Sequence, residues 1–516
     1  MVSRWNNVDK TTTSNATTAK PQERAEPAHH MTEIDTPNGF KALNIFQHLQ
    51  FHSSSSFSFF SIFRGILLQQ NFLRNPLVES QILRRNPNQI DEVMSWLCRP
   101  PTVTSYRINT LQTTVSAFKQ KLQQILHERY TQTPMVYEIP FIPEVLCISP
   151  LPVNIPDFKQ KQTEIQREVI VDSSCGAALL RGAHLYAPGV LAMEADTKID
   201  EKVLVYADLA GKCKQGTNTR YEALHKLYLG IGIVRMQRHQ IFRPPASNAL
   251  EPLKGTAVEM IETISGVPAI GDLSCKEALL QNLPSILCVR VLQPRPGERV
   301  LDMCAAPGNK TTLIAELMGD VGEIIAIDKV AKKIRAMQEK IEIQGLHSIK
   351  AYHFDASKAF DETKDMEETE KLGKPPFGAC TFDKILLDAP CSALGNRPLL
   401  AGPRNMCSQM LDSYPKVQRK LFSAAVPLLK RDGVLVYSTC TVTEQENECM
   451  VAWVLGKFPQ IQLTSATPRV GGCGLEHTGL NELERGYVQR FGHDMTEFAG
   501  RYIDTVGFFI AKFTKI

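Results

Sequence analysis

Apolar and polar positions follow one rhythm in the last two fifths of the chain and another before it. From Arg299 to Phe513, short continuous apolar runs alternate with segments of helical period. Arg299 to Met303, Glu323 to Asp328, Ile349 to Phe354, Phe382 to Asp388 and Gly433 to Ser438 have the aliphatic continuity of strands buried on both faces. Lys310 to Met318, Ala331 to Gln344, Val417 to Leu429 and Glu446 to Leu455 read as helices between them, and Val506 to Phe513 as a closing strand. Such alternation predicts an α/β fold, a doubly wound parallel sheet with right-handed crossovers. The charge run Asp361 to Lys374 is expected to be a solvated loop.

Upstream the pattern is more broken. Glycines at 182, 189, 211, 216, 230 and 232 punctuate short strands such as Lys202 to Asp208 and Leu227 to Val234, which predicts a compact β-barrel over 173–264. Over 86–172 a helix at Asp91 to Leu97 is broken by Arg99-Pro100-Pro101. A strand at Thr104 to Leu111 and a helix at Val115 to Arg129, with Phe118, Leu122 and Ile125 on one face, then predict a small α/β unit. Residues 265–516 form the last region and begin with a linker carrying an apolar segment, Ala278 to Leu292. Residues 1–85 are of low complexity; the first forty, rich in Thr, Ser, Ala, Asn and Pro, are expected to be disordered, and Phe51 to Phe63 is a biased patch with no role assigned.

Composition narrows the function classes. The 516 residues allow about three domains, and 43% hydrophobic with 22% charged residues is an ordinary globular balance. A net charge of +4 permits a nucleic-acid partner without requiring one. Thirteen cysteines without a CxxC pair argue against a disulfide scaffold or zinc ribbon and for a reducing compartment. No apolar run is long enough to span a membrane, and the first residues lack the apolar core of a secretory leader. His184 has no partner at ligand spacing, so it is expected to be structural, and no metal is expected.

The candidate chemistry sits at strand ends. Lys384 to Cys391 (KILLDAPC) runs through Asp388 and Pro390 into a thiol, and Tyr437-Ser438-Thr439-Cys440 ends another apolar run. A lone cysteine is usually a small core residue. Open α/β sheets, however, bind ligands outside the carboxyl ends of their strands, so two thiols and a carboxylate are expected to share one crevice. The stretch Cys304-Ala305-Ala306-Pro307-Gly308-Asn309-Lys310 links a strand to a helix with residues small enough for close backbone approach. Asp328 ends the next strand about 20 residues later, the spacing of a carboxylate that accepts from ribose hydroxyls. GxGxxG is absent, and Met303 stands where a phosphate loop needs its first glycine. A nucleoside lacking a pyrophosphate fits better than a dinucleotide, and Asp355 and Asp388 suit a cationic one, as S-adenosylmethionine is. In the barrel region, Arg181 with Tyr186, and Lys212 with Lys214, suit RNA phosphates and stacked bases, solvated loop charge being the ordinary alternative.

CAAPGNKT at 304–311, DAPCS at 388–392 and STCT at 438–441 together resemble the Nop/Sun-domain RNA cytosine-5 methyltransferases. RGAHLYAPGV at 181–190 resembles a PUA domain and points to the PUA-containing branch, the sixth Nop/Sun member, whose substrates include the 3′ acceptor end of certain tRNAs and similar CCA-bearing sites in messenger RNA. The resemblance spans roughly residues 90–516 and implies a Rossmann-like class I methyltransferase domain over 265–516 with an antiparallel closing strand. It also implies an inserted PUA RNA-binding domain over 173–264 and an N-terminal RNA-binding region over 86–172. S-adenosylmethionine is the implied cofactor and RNA the implied partner, for a monomer in the cytoplasm.

Cytosine C5 is too weak a nucleophile to take a methyl group unaided, and a thiolate added at C6 gives it enamine character. The resemblance implies Cys440 as that nucleophile and Cys391 as the thiol assisting release. Asp388 is implied at N3 and the exocyclic amine, and Lys310 beside them. Cofactor contacts are implied for Cys304, Ala305, Ala306, Pro307, Gly308, Asn309, Lys310, Asp328, Asp355 and Asp388, and RNA contacts for Arg181, Tyr186, Lys212 and Lys214. Two residues depart from the family pattern. Asn309 replaces a second glycine and is expected to accept a left-handed conformation, and Gln215 replaces a lysine, implying weaker RNA affinity or salt dependence. A catalytically degenerate RNA-binding protein, and a DNA cytosine-5 methyltransferase whose Pro-Cys thiol is the nucleophile, are the alternatives.

Overall fold

The computed structural model describes residues 90–516 except 154, 223–225, 243–254, 366–372 and 401–406. The expectations for 1–85, including the Phe51 to Phe63 patch, and for the middle of the Asp361 to Lys374 run lie outside the described residues.

Helix α1 (Ile90–Leu97) leads into β1 (Thr104–Ile108), α2 (Val115–Arg129), β2 (Val136–Ile139) and β3 (Ile142–Ile148). Thr114 caps α2 by accepting from the Ala117 amide, and the buried stripe is Phe118, Leu122 and Leu126 rather than Ile125. These side chains pack on Tyr106 and Ile148 of the sheet.

The next six strands are β4 (Glu168–Asp172), β5 (Leu185–Tyr186), β6 (Val190–Met193), β7 (Lys202–Asp208), β8 (Lys226–Val234) and β9 (Thr256–Thr263), with α3 (Ser173–Leu180) after β4. They form one sheet in the order β5-β9-β8-β7-β4-β6. The boundary expected at 173 is therefore corrected: β4 lies upstream of it, yet pairs with β6 and β7, because its Glu168–Val171 side chains are all buried in that region. The boundary at 264 is crossed as well. Strand β10 (Ala278–Leu280), expected to be linker, returns to pair with β1, giving a first sheet in the order β10-β1-β3-β2.

The last region comprises α4 (Leu283–Leu292), β11 (Arg299–Asp302), α5 (Asn309–Leu317), β12 (Glu323–Asp328), α6 (Ala331–Gln344), β13 (Ile349–His353), β14 (Phe382–Asp388), α7 (Ser408–Leu428), β15 (Leu429–Thr439), α8 (Glu448–Lys457), β16 (Ile461–Thr464), β17 (Gln489–Phe491) and β18 (Phe508–Lys515). Its sheet runs β13-β12-β11-β14-β15-β18-β16, with β17 also on β18. The first five strands are parallel, and β18 is antiparallel to β15 and β16. Alternate residues face opposite cores. Val300, Ile324, Leu386 and Val436 pack with α4, α5 and α6, whereas Leu301, Ile325, Ile385 and Leu435 pack with α7 and α8. That double burial is why the strands read as unbroken apolar runs. Strand order reverses between β11 and β14, so their carboxyl ends, Asp302 and Asp388, flank a crevice.

Candidate active site

The loop expected to hold the cofactor, Cys304 to Lys310, is strapped across three strand ends by its own backbone. Met303 N–H donates to the Leu386 carbonyl at 3.0 Å and Ala305 N–H to the Ile327 carbonyl at 2.9 Å. Gly308 closes the turn at φ +93°, where a Cβ would stand 2.9 Å from Met337 Cγ. The left-handed residue is thus Gly308, which corrects the expectation for Asn309. Asn309 is the first residue of α5; its side-chain oxygen accepts from Lys340 and its carbonyl from the buried Arg107 guanidinium.

Carboxylates ring the crevice. Asp302 is buried, accepts from Thr311 Oγ1 at 2.7 Å, and is pushed up to about 7 by desolvation. Asp328 Oδ1 accepts from the Val330 amide at 2.9 Å. Asp355 accepts from the Ser357 hydroxyl and amide, lies 3.1 Å from Lys329 Nζ, and is held below its usual value chiefly by the Ser357 hydroxyl. Cys304 sits among them: burial first, then Asp302, Asp388, Asp328 and Asp355, drives its thiol well above the usual range, which leaves it protonated. Ala305, Ala306 and Pro307 complete the loop between Cys304 and Gly308. The donor set and the turn that only a residue without Cβ fits match a cationic nucleoside. S-adenosylmethionine would be held by this loop, with Asp328 toward its ribose.

At the neighbouring strand ends two thiols meet. Cys391 Sγ and Cys440 Sγ are 3.4 Å apart. The hydrogen bond between them, its largest influence, lowers the Cys440 thiol; burial and Asp388 oppose this, while Lys310 and Asn396 assist. Cys391 moves the other way, raised by the same bond and then by burial, Cys440 and Glu446. Cys440 is therefore the more readily ionised of the two sulfurs, and Cys391 the one that holds its proton more tightly. Asp388 accepts from Lys310 Nζ at 2.8 Å and from Ser438 Oγ at 2.7 Å. Burial is the largest influence on the Lys310 ammonium and would depress it, but Asp388, Cys288 and Cys440 together outweigh it and the net shift is upward, so Lys310 stays charged.

Sequence reasoning missed several members of this site. Asn396 Nδ2 lies 3.5 Å from Cys440 Sγ, Ser438 orients Asp388, and Arg107 reaches from β1 to the cofactor loop. Ser438 and Ser392 lie inside the motifs already singled out, so a signal existed; for Asn396 and Arg107 there was none.

The expected RNA contacts occupy two places in the second sheet. Tyr186, on edge strand β5, is half exposed. Exposed Lys212 and Lys214, with Gln215 next to them, lie in the loop after β7, whose turn is held by Asp208 accepting from the Ala210, Gly211 and Cys213 amides. Arg181 donates to the Arg397 carbonyl at 3.3 Å, so it touches the segment following Cys391. His184 Nδ1 accepts from the Met260 amide at 3.2 Å, a structural use. Among the described residues no cluster of three His, Cys, Asp or Glu side chains could hold a metal, and no helix is long and apolar enough to cross a membrane.

Residues 289–514 match the sequence model of the 16S rRNA methyltransferase RsmB/F family. The chain is 39% identical to the tRNA (cytosine(72)-C(5))-methyltransferase NSUN6 of Homo sapiens, over 87% of this chain and 96% of that protein. It is 30% identical to the rRNA (cytosine-C(5))-methyltransferase NOP2C of Arabidopsis thaliana, over 85% of this chain and 90% of that one. Among solved structures, NSun6 from Pyrococcus horikoshii with SFG, an S-adenosylmethionine analogue, aligns with a TM-score of 0.63 at 30% identity, covering 86% of this chain and 98% of that chain.

Proposed function

The chain belongs to the RsmB/F (Nop/Sun) family of S-adenosylmethionine-dependent RNA cytosine-5 methyltransferases, and from that premise we propose that it methylates a cytosine at the acceptor end of tRNA, near the 3′-CCA, through a covalent Cys440–C6 adduct. The observation that carries the mechanism is the thiol pair: two sulfurs 3.4 Å apart beside Asp388 and Lys310, with Cys440 shifted toward the anion and Cys391 away from it. S-adenosylmethionine, when bound, supplies an electrophilic methyl group on its sulfonium. The Cys440 thiolate adds to C6, and the electron pair of the C5=C6 bond moves toward N3, where the Lys310 ammonium stabilises the developing negative charge while Asp388 accepts from the exocyclic amine. Once Cys440 is a thioether it no longer needs the hydrogen bond from Cys391, whose proton passes to solvent. After C5 gains its methyl group, Cys391 takes the C5 proton. The electrons of that C–H bond restore C5=C6 as the C6–S bond breaks, and Cys440 leaves as a thiolate with Cys391 protonated again. One proton is released per turnover.

The six-stranded region is read as a PUA domain, which with the N-terminal sheet grips the RNA through Arg181, Tyr186, Lys212 and Lys214. The tRNA reading is favoured over ribosomal RNA by the higher identity to the tRNA enzyme, with CCA-bearing messenger sites as further substrates. Thirteen cysteines without a disulfide suit the reducing cytoplasm, where we expect a monomer. Incubation with a CCA-ended tRNA and cofactor tests the mechanism: Cys440→Ala yields no covalent RNA adduct, and Cys391→Ala accumulates one. The reverse pattern overturns the roles. Failure of the wild-type protein to incorporate methyl groups into any CCA-ended RNA overturns the substrate.

A further inference from the structure

The two thiol-bearing loops share a buried carboxylate that the chemistry above does not use. Glu446 lies in the turn before α8, not in the helix where its sequence context placed it, and its side chain points inward. Four donors converge on it: the Ser392 amide at 3.0 Å, Ser392 Oγ at 2.5 Å, Thr443 Oγ1 at 2.9 Å and Gln418 Nε2 at 3.0 Å. Ser392 directly follows Cys391, Thr443 lies three residues beyond Cys440, and Gln418 belongs to α7. The other amide proton of Gln418 goes to the Pro390 carbonyl at 3.0 Å, so Cys391 is gripped on both sides. Because the single Ser392 hydroxyl proton is given to Glu446, the 2.8 Å contact between Ser392 Oγ and Thr441 Oγ1 must be donated by Thr441. The resulting chain runs one way, from the Cys440 loop through Ser392 to Glu446. All four partners donate, so Glu446 acts purely as an acceptor, the behaviour of an ionised carboxylate.

We propose that Glu446 is the positioning residue that decides which catalytic thiol holds the shared proton: its one carboxylate fastens both loops and puts negative charge beside Cys391, keeping Cys391 the donor and Cys440 the acceptor. The charges around the pair are arranged accordingly. Lys310 of α5 favours ionised Cys440, whereas Asp388 of β14 opposes it. Glu446 acts on Cys391. Tyr437 of β15 and Tyr414 of α7 face the same thiol, but burial raises both phenols, so they are neutral there. Cys288 of α4, behind Lys310, is pushed up to about 12 by burial and is neutral too. Lys310 and Glu446 are thus the two charges that polarise the pair in one direction, one at each sulfur. An acceptor placed beside Cys440 instead would exchange the roles of the two thiols.

The inference rests on the assignment of Cys440 as nucleophile, but its deciding measurement, thiol ionisation, needs neither RNA nor methyl transfer. Initial rates of iodoacetamide alkylation are mapped to each cysteine by mass spectrometry across pH in the full chain under reducing conditions. The midpoint of each profile reports ionisation independently of accessibility. In the wild type, Cys440 is expected to titrate below the free-thiol value of 9.0 and Cys391 above it. In Glu446→Gln the gap should narrow by about one pH unit, a tenfold change in relative ionisation, and kcat should fall while KM for RNA moves less than twofold. Thr443→Val, which removes one bond and keeps the charge, should leave the gap within 0.3 unit, about twofold. An unchanged gap in folded Glu446→Gln overturns the proposal. So does a wild type in which Cys391 titrates at or below Cys440, a result that stands even where the variant does not fold. Adduct formation by Cys391 in place of Cys440 would instead sink the mechanism on which the inference rests.

Discussion

At the residue scale, two like groups are set apart by hydrogen bonding and charge rather than by burial, which raises both. Two thiols lie in one crevice, and the anion is favoured at the one that is hydrogen-bonded by its neighbour and faces Lys310 and the Asn396 amide. A depressed thiol value means that activity is gained as pH rises through it and lost as pH falls, so the acid limb of the pH–rate profile should have its midpoint below 9.0. Asn396→Ala removes a donor to the anion. Its midpoint should therefore move up by as much as about one unit, equivalent to about 1.4 kcal/mol, with the rate recovered at pH values above both midpoints. A rate lost equally at all pH values would show that Asn396 acts on the substrate instead.

At the element scale, the candidate cofactor loop is held by a strand from another sheet. Arg107 of β1 is fully buried and donates to Gln281 Oε1 at 2.8 Å, Thr312 Oγ1 at 2.9 Å, Glu316 Oε1 at 2.9 Å and the Asn309 carbonyl. Removing one member of a buried ion pair leaves the other charge unpaired and costs about 3–5 kcal/mol, whereas an apolar pair of similar volume is often neutral. Urea denaturation should therefore show Arg107→Met strongly destabilised and Arg107→Met/Glu316→Leu largely restored. Both variants should bind S-adenosylmethionine more weakly, because neither holds the Asn309 carbonyl. Equal affinity in the restored double variant would disconnect β1 from the cofactor loop. Nothing local in TSYRINTL announces this contact, since its partners lie more than 170 residues away. The strands of the large sheet were legible because double burial writes itself as aliphatic continuity. Three-residue β10 carries too short a pattern to be told from linker. Helix α7 begins nine residues before its expected start because it continues through Pro415, which reads as a break when its tertiary support is not visible.

At the scale of the whole molecule, the chain leaves its first sheet after β3, builds the second, and returns through β10 to enter the catalytic sheet by α4. The motifs proposed as catalytic could be singled out because each lies within a few residues of a strand end. The limits at 173 and 264 were not legible, because strands on either side of them pair across. This threading bears on how RNA is gripped. Arg181, also exposed, gives one N–H to the Arg397 carbonyl, whereas Lys212 and Lys214 stand exposed on a turn braced by Asp208. Phosphate contacts release counterions, and each changes the slope of log K against log salt by about 0.7 for single-stranded and 0.9 for duplex RNA-like polyanions. Lys212→Ala/Lys214→Ala should thus flatten the slope for a CCA-ended tRNA by about 1.4–1.8 and leave the alkylation midpoint of Cys440 unchanged. Arg181→Ala should flatten the slope by one contact at most, about 0.7–0.9, because only one of its N–H groups is given to the Arg397 carbonyl, and it should also lower kcat by loosening the segment that carries Asn396. If Arg181→Ala instead flattens the slope while the lysine pair does not, the RNA backbone runs along β5 and α3, and the loop after β7 is merely solvated.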